Sequence, residues 1–211
     1  MKIEQLKPYN SKNIIFYYLI CLCILSCSNK NSNDKDITIA DSLNSPEIHP
    51  DTTINEIMRL EDNISTNKFY QNNDNFSYVE FVRESPIVLF LSSDNKEYLM
   101  AYQYEGNTKN TFSYFEIGYN DTLLDQYPKI KTNYERFYTE SGLSLGISLK
   151  DLISIKGSNY IDVNNNKSVI MYRNIADSAF LDRYKMPAYN IEIELTDYNI
   201  VKNIKFGFEY P

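Results

Sequence analysis

The chain has 211 residues, a formal net charge of −7 at pH 7, three cysteines and a single histidine. That acidity argues against nucleic acid, which requires a basic footprint on its partner, and against adsorption to an anionic lipid surface. One imidazole in the whole sequence also leaves little of the chemistry that commonly supplies a general base near neutral pH.

The first element is apolar. Ile14 to Leu25 is an unbroken run of twelve apolar or aromatic residues behind Lys2, Lys7 and Lys12, with Glu4 the one acid among them. A bilayer-spanning helix needs about 20 such residues, whereas the apolar core of an export signal needs roughly 7–15 behind a positive end. The polar tract from Ser28 to Asp34 stops the run at once. Cys21 and Cys23 have C-x-C spacing, but they lie inside the apolar run with no histidine near, so they read as small hydrophobes rather than metal ligands.

The run ends Ile24-Leu25-Ser26-Cys27. This resembles the lipobox of bacterial prolipoproteins: an aliphatic residue, then a small residue before the scissile bond, then a thiol that accepts diacylglycerol. The resemblance implies that residues 1–26 are a signal peptide and that Cys27 becomes the lipidated N-terminus. It places the protein in the cell envelope, held to a membrane (the outer more than the inner) by covalent lipid. A single acyl chain holds only marginally and several hold firmly. Loss of residues 1–26 removes three lysines and one glutamate, leaving 18 basic and 27 acidic residues, a net −9. Neither Cys21 nor Cys23 survives cleavage, so the mature domain is expected to stand on packing without a disulfide.

Residues 27–65 read as the lipidated cysteine and a disordered tether, rich in Asn, Ser, Asp and Pro up to residue 53. His49 lies within it and reads as solvated. Ile54, Ile57 and Met58 have the spacing of one or two helical turns capped by Asp51 or Thr52.

Residues 66–211 read as a single domain, large enough to bury one self-sufficient core. Aromatic and β-branched stretches mark strands at 76–83, 87–91, 98–104, 111–119, 136–139, 160–163, 168–172, 188–195 and 200–210, with turn signals such as Ser85-Pro86 and Asn164-Asn165-Asn166 between them. The last pair is the clearest. Ile191, Ile193 and Leu195 alternate with Asn190, Glu192 and Glu194, and Ile204, Phe206 and Phe208 alternate with Lys205, Gly207 and Glu209. That pattern predicts a half-buried antiparallel hairpin in which Glu192 or Glu194 faces Lys202 or Lys205.

One helix is predicted over 149–156. Ser148 and Asp151 form a capping box, Ile147 and Leu152 a hydrophobic staple, and Gly157 ends the helix at positive φ in a Schellman motif. Leu149, Leu152, Ile153 and Lys156 share a face. Gly146, Ser148, Asp151, Leu152 and Gly157 are similar to a G-h-S-x-x-[DE]-L-x-x-x-x-G pattern, h being hydrophobic, of small envelope lipoproteins. The resemblance implies an α+β envelope domain and no particular activity. The fold class is therefore α+β: mostly antiparallel β-sheet with one or two short helices packed on it.

No G-x-S-x-G, H-E-x-x-H or Walker A sequence is present, and no catalytic residue, metal ligand or cofactor is assigned. A hydrolase would have to draw on Glu80, Glu84, Glu97, Glu116, Glu135, Asp151, Glu192 or Glu194, and spacing singles out no pair. Asp162-x-Asn164-x-Asn166 imitates the start of a calcium loop, but Lys167 and Arg173 stand where that loop needs Gly and Glu, so an Asn-rich hairpin turn is expected. Tyr98, Tyr102 and Tyr104 share a strand face with Met100, and Phe112 shares another with Tyr114; such faces are either core or a platform for a protein partner. Asp-Ser/Thr-apolar triplets at Ser42, Thr52, Thr122 and Ser178 resemble the O-glycosylation sequon of Bacteroides-type envelope proteins, Thr53 making the second the weakest match. The leading expectation is a noncatalytic envelope lipoprotein that binds or stabilises another envelope protein. The alternative is a carboxylate-based hydrolase acting on cell-wall or glycan material.

Overall fold

Alternation of apolar and polar residues builds most of the molecule. The computed structural model describes residues 49–69, 79–80, 86–104, 107–108, 110–125, 127–173 and 175–209. In chain order these hold β1 (Thr53–Ile54), β2 (Met58–Arg59), α1 (Asn63–Phe69), β3 (Val79–Glu80), β4 (Pro86–Leu91), β5 (Glu97–Tyr102), β6 (Tyr114–Tyr119), β7 (Ile130–Lys131), α2 (Leu149–Lys156), β8 (Ile161–Asp162), β9 (Val169–Arg173), α3 (Ser178–Tyr184), β10 (Tyr189–Leu195) and β11 (Val201–Phe208). They belong to one compact unit, Ser45–Pro211. The apolar run 14–25, Cys27 and Ser42 lie outside the described residues.

The main sheet runs β3-β4-β5-β6-β11-β10-β9-β8, with neighbours antiparallel and β7 added parallel to β4. Two meanders meet where the last strand, β11, pairs with β6. The fold is α+β, a mostly antiparallel sheet with short helices against it, as the sequence predicts. The terminal hairpin has the expected register, Ile191 opposite Phe206, Ile193 opposite Ile204 and Glu192 opposite Lys205.

Alternation divides the sheet into two faces. Phe90, Leu99, Ile117, Ile204, Ile193 and Ile170 form one continuous cross-strand row, and every one is 0% exposed. Burial of such a side chain contributes roughly 1.5–3 kcal/mol relative to exposure, so this row anchors the core. Ile54, Met58, Leu60, Phe137, Leu143, Leu145 and Leu152 cover that face. The row one residue out of phase reads Leu89, Met100, Glu116, Lys205, Glu192 and Met171. It is buried at its Leu89–Met100 end, where Leu124 packs on it, and charged and half-buried in the middle.

The segment 51–65, expected in the tether, is built into this domain instead. Ile54 and Met58 pair as β1 and β2 rather than as helical turns, with Asn55 (φ 50°) and Glu56 (φ 59°) reversing the chain between them. Asp51 does not cap a helix; its carboxylate meets the Lys156 ammonium at 2.7 Å, deep in the protein. Lys156 also donates to the His49 carbonyl at 2.8 Å, and the Tyr189 hydroxyl donates to the Asp51 carbonyl at 2.6 Å. Glu140 accepts from the amides and hydroxyls of both Thr52 and Thr53. Four polar residues that look like linker composition are thus satisfied by groups far along the chain.

Helix α2 forms as predicted, with Ser148 and Asp151 closing both halves of the capping box. Its end differs in detail. Gly157 stands at φ 74° and ψ 177°, and its amide donates to Ile153. That extended mirror region leads the chain away from the helix rather than closing a Schellman turn, and only glycine occupies it readily. The stretch 136–139, expected as a strand, makes only isolated bridges. Its backbone groups are already taken: Phe137 N–H donates to the Glu97 carboxylate at 2.9 Å, and the Tyr138 carbonyl accepts from Asn55 at 2.8 Å. Helix α1, capped by the Asp62 carboxylate on the amides of Ile64 and Ser65, and helix α3, capped by Asp177, join α2, where the sequence predicts one or two short helices.

Candidate functional site

The second sheet face brings Tyr98, Tyr102 and Tyr114 together with several carboxylates. Glu116 stands at its centre in β6, between Met100 of β5 and Lys205 of β11. Tyr98 and Tyr102, one step diagonally up and down β5, each donate a hydroxyl to it at 2.7 Å, to Oε1 and Oε2 respectively. Asn203 of β11 adds its amide at 3.0 Å to Oε1 and at 3.1 Å to the Tyr98 hydroxyl. Both carboxylate oxygens are therefore committed as acceptors.

Two mid-strand glycines make room for these rings. A Cβ on Gly118 would stand 2.5 Å from the Tyr98 ring, so that ring lies flat across the glycine opposite it in register. Gly207, at φ 143°, faces Tyr114 in the same way, with a Cβ position 2.7 Å from the Tyr114 Cα and 2.9 Å from its ring. The rings lie along the sheet and cover backbone that a glycine leaves bare. Tyr102 and Tyr114 then meet edge to face, their centroids 5.8 Å apart.

Burial raises the pKa of Tyr98, Tyr102 and Tyr114. The Glu116 charge adds to this for the first two and the Glu192 charge for the third. Their hydroxyls stay protonated donors throughout the neutral range. Lys205 lies 3.2 Å from Glu192 and 3.9 Å from Glu194, and Lys202 lies 3.5 Å from Glu194. The cross-strand pairing of these acids and lysines is the one the sequence predicts. Burial tends to lower the Lys205 pKa, but Glu116, Glu192 and Glu194 together outweigh it and raise it. The result is a fixed lattice of alternating charge and hydroxyl, partly open to solvent.

The tyrosine expectations hold in part. Tyr98, Met100 and Tyr102 share this face, but Tyr104 lies past the end of β5. Its hydroxyl donates to the Phe208 carbonyl at 2.6 Å, and burial, with Glu209 and Glu61, pushes its pKa up to about 12. Phe112 and Tyr114 do not share a face. Phe112 is wholly buried in the core, because the chain is irregular at Ser113, whose carbonyl accepts from Phe208. On the near part of the face Ile87, Leu89, Met100 and Leu124 form a second small apolar cluster with Tyr98, Tyr102 and Tyr127.

The other carboxylates weighed for hydrolysis are dispersed. Glu97 is buried against Arg136 Nε at 3.3 Å and the Phe137 amide. Burial raises its pKa, and those partners oppose the rise. Asp151 serves the α2 cap, where the Ser148 hydroxyl and amide lower its pKa. Glu135 is exposed. Glu84 and the Glu80 side chain lie outside the described residues. Among the described residues no three His, Cys, Asp or Glu side chains are grouped to hold a metal ion, and Asp162 closes the β8–β9 hairpin by accepting from the Lys167 amide at 2.9 Å.

The triplets at Thr122 and Ser178 coincide with N-caps. Asp121 accepts from Leu123 at the start of the 3-10 turn Thr122–Leu124, and Asp177 accepts from Phe180 at the start of α3. Both hydroxyl residues are exposed, whereas the Thr52 hydroxyl is bound to Glu140 at 2.9 Å. The sequence alone does not single out Glu116 or Asn203. Its usable signal is Gly118 and Gly207, glycines inside apolar strands that mark a close approach by another group. No helix among the described residues is long and apolar enough to cross a membrane. No family model, curated protein or solved structure matches the chain.

Proposed function

We propose that this is an envelope lipoprotein, acylated on Cys27, whose β domain binds another envelope protein over its open sheet face. The observation that carries the reading is the lattice of Tyr98, Tyr102, Glu116, Asn203, Lys205 and Glu192 on that face. Tyrosines already locked in place lose little conformational freedom on binding, and such rings supply both apolar area and hydroxyls to an interface. The hydroxyls and amide held on Glu116 fix the pattern before a partner arrives, which favours specificity over nonselective adhesion. A tether of several acyl chains at Cys27 would confine the domain to a membrane surface, where its partner also resides.

The test is photo-cross-linking in intact cells, with a photoreactive amino acid placed at Met171 or Lys202 on the open face, or at Lys150 on α2. The reading predicts one discrete adduct with a single envelope protein from the first two positions and none from the third. Absence of any adduct, or equal labelling from Lys150, would count against it.

A further inference from the structure

In an acidic chain, one cleft gathers positive side chains. It lies between the β1–β2 hairpin and α3, on the covered side of the sheet and apart from the open face, with a volume of about 640 Å³. That falls within the roughly 300–1,000 Å³ of small-ligand sites. Arg59 of β2, Arg183 of α3 and His49 line it, with Phe180 and Tyr184 forming an aromatic wall. Among the described residues neither guanidinium stands in an ion pair.

Two nearby acids are hydrogen-bonded within the protein. Asp177, the carboxylate in the lining, accepts from the Phe180 amide at 2.6 Å as the α3 cap. Glu140, beside Thr52, spends its oxygens on the amides and hydroxyls of Thr52 and Thr53. Both walls are held from behind. The Arg59 amide donates to Ser65 Oγ at 2.8 Å, the His49 carbonyl accepts from buried Lys156, and Phe180 and Tyr184 pack on Phe208 with centroids 5.8 and 4.9 Å away. The cleft is a preformed concavity with two unspent guanidinium forks at its rim.

A guanidinium fork matches the two oxygens of a carboxylate or phosphate, and the aromatic wall gives an apolar body a place to stack. We infer that this cleft binds an organic anion, a carboxylate or phosphate carried on an apolar body, with Arg59 and Arg183 taking the charge and Phe180 and Tyr184 the body. This site is independent of Cys27 and of the open sheet face.

Calorimetric titration of the full chain in non-ionic detergent tests it, with phenyl phosphate, phenylacetate and inorganic phosphate as probes. Saturable one-to-one binding is expected for at least one aromatic anion, more tightly than for inorganic phosphate; whichever aromatic probe binds better identifies the headgroup. Arg59→Gln and Arg183→Gln should each weaken that probe about tenfold or more, the scale of a lost charge-assisted bond. Phe180→Leu should weaken the aromatic probe and leave inorganic phosphate unchanged. Both arginines are exposed, so the variants should fold, which thermal melting verifies. No saturable binding by any probe, inorganic phosphate binding as tightly as the aromatic anions, or arginine variants that bind like the parent would overturn the inference.

Discussion

Asp51 Oδ2 and Lys156 Nζ lie 2.7 Å apart with their side chains 1% and 3% exposed. The ammonium is the one polar partner of that oxygen among the described residues. This pair ties the start of the domain to the last turn of α2 with almost no water to screen it.

Removing one member of such a pair strands a buried charge, which costs about 3–5 kcal/mol, whereas removing both charges is often much milder. Lys156→Met should therefore lower the urea midpoint by the equivalent of that amount. Asp51→Asn combined with Lys156→Met should recover part of the loss. A Lys156→Met protein as stable as the parent would show that the pair is not a structural tie.

Glycine substitutions should separate conformational strain from lack of space. Gly142 and Gly207 both have positive φ, 91° and 143°, but a Cβ at Gly142 meets nothing within 4 Å, while one at Gly207 overlaps the Ser113 carbonyl and lies 2.7 Å from the Tyr114 Cα. Gly142→Ala should cost about 1–2 kcal/mol for strain. Gly207→Ala should cost about 3 kcal/mol or more, since backbone overlap adds to the strain. Equal losses in thermal or urea unfolding would mean that β6 and β11 are less closely apposed than described.

Glu97 gives a pH dependence of stated sign. Burial raises its folded pKa above the ordinary glutamate value of 4.5. The folded protein then binds the proton more tightly than the unfolded chain does, so stability declines as pH rises from about that value through the raised one. Glu97→Gln removes the ionisation. Relative to this variant, the parent should lose stability as pH is raised through the window, read from urea midpoints at a series of pH values. A parent that gains on the variant over the same range would give the opposite sign and exclude burial as the dominant influence.

The parts of the fold that were legible in the sequence are those whose stabilising partners lie close along the chain. The β10–β11 hairpin shows in the alternation from Tyr189 to Phe208, and α2 shows in Ser148, Asp151 and the spacing of Leu149, Leu152 and Ile153. The segment 51–60 was not legible, because Asp51, Thr53 and Asn55 have the composition of a linker. They are buried only because Lys156, Glu140 and the backbone of Arg136 and Tyr138 supply their partners. Stretch 136–139 has strand-like residues whose backbone groups are captured by Glu97 and Asn55 before a ladder forms. On the open face the cross-strand acids and lysines follow from the hairpin pattern. The convergence of Tyr98, Tyr102 and Asn203 on Glu116 depends on how β5, β6 and β11 are ordered, which local periodicity does not encode.

The envelope assignment rests on Cys27, and metabolic labelling with a fatty acid tests it most directly. Only Cys27 has a small residue before it and a polar tract after it, whereas Cys21 and Cys23 lie in the segment expected to be cut away. The label should incorporate into the parent, Cys21→Ser and Cys23→Ser proteins and be lost from Cys27→Ser, whose domain should remain folded because its core needs neither lipid nor disulfide. Label retained by Cys27→Ser, or a mature protein beginning at another residue by mass spectrometry, would contradict the lipoprotein reading.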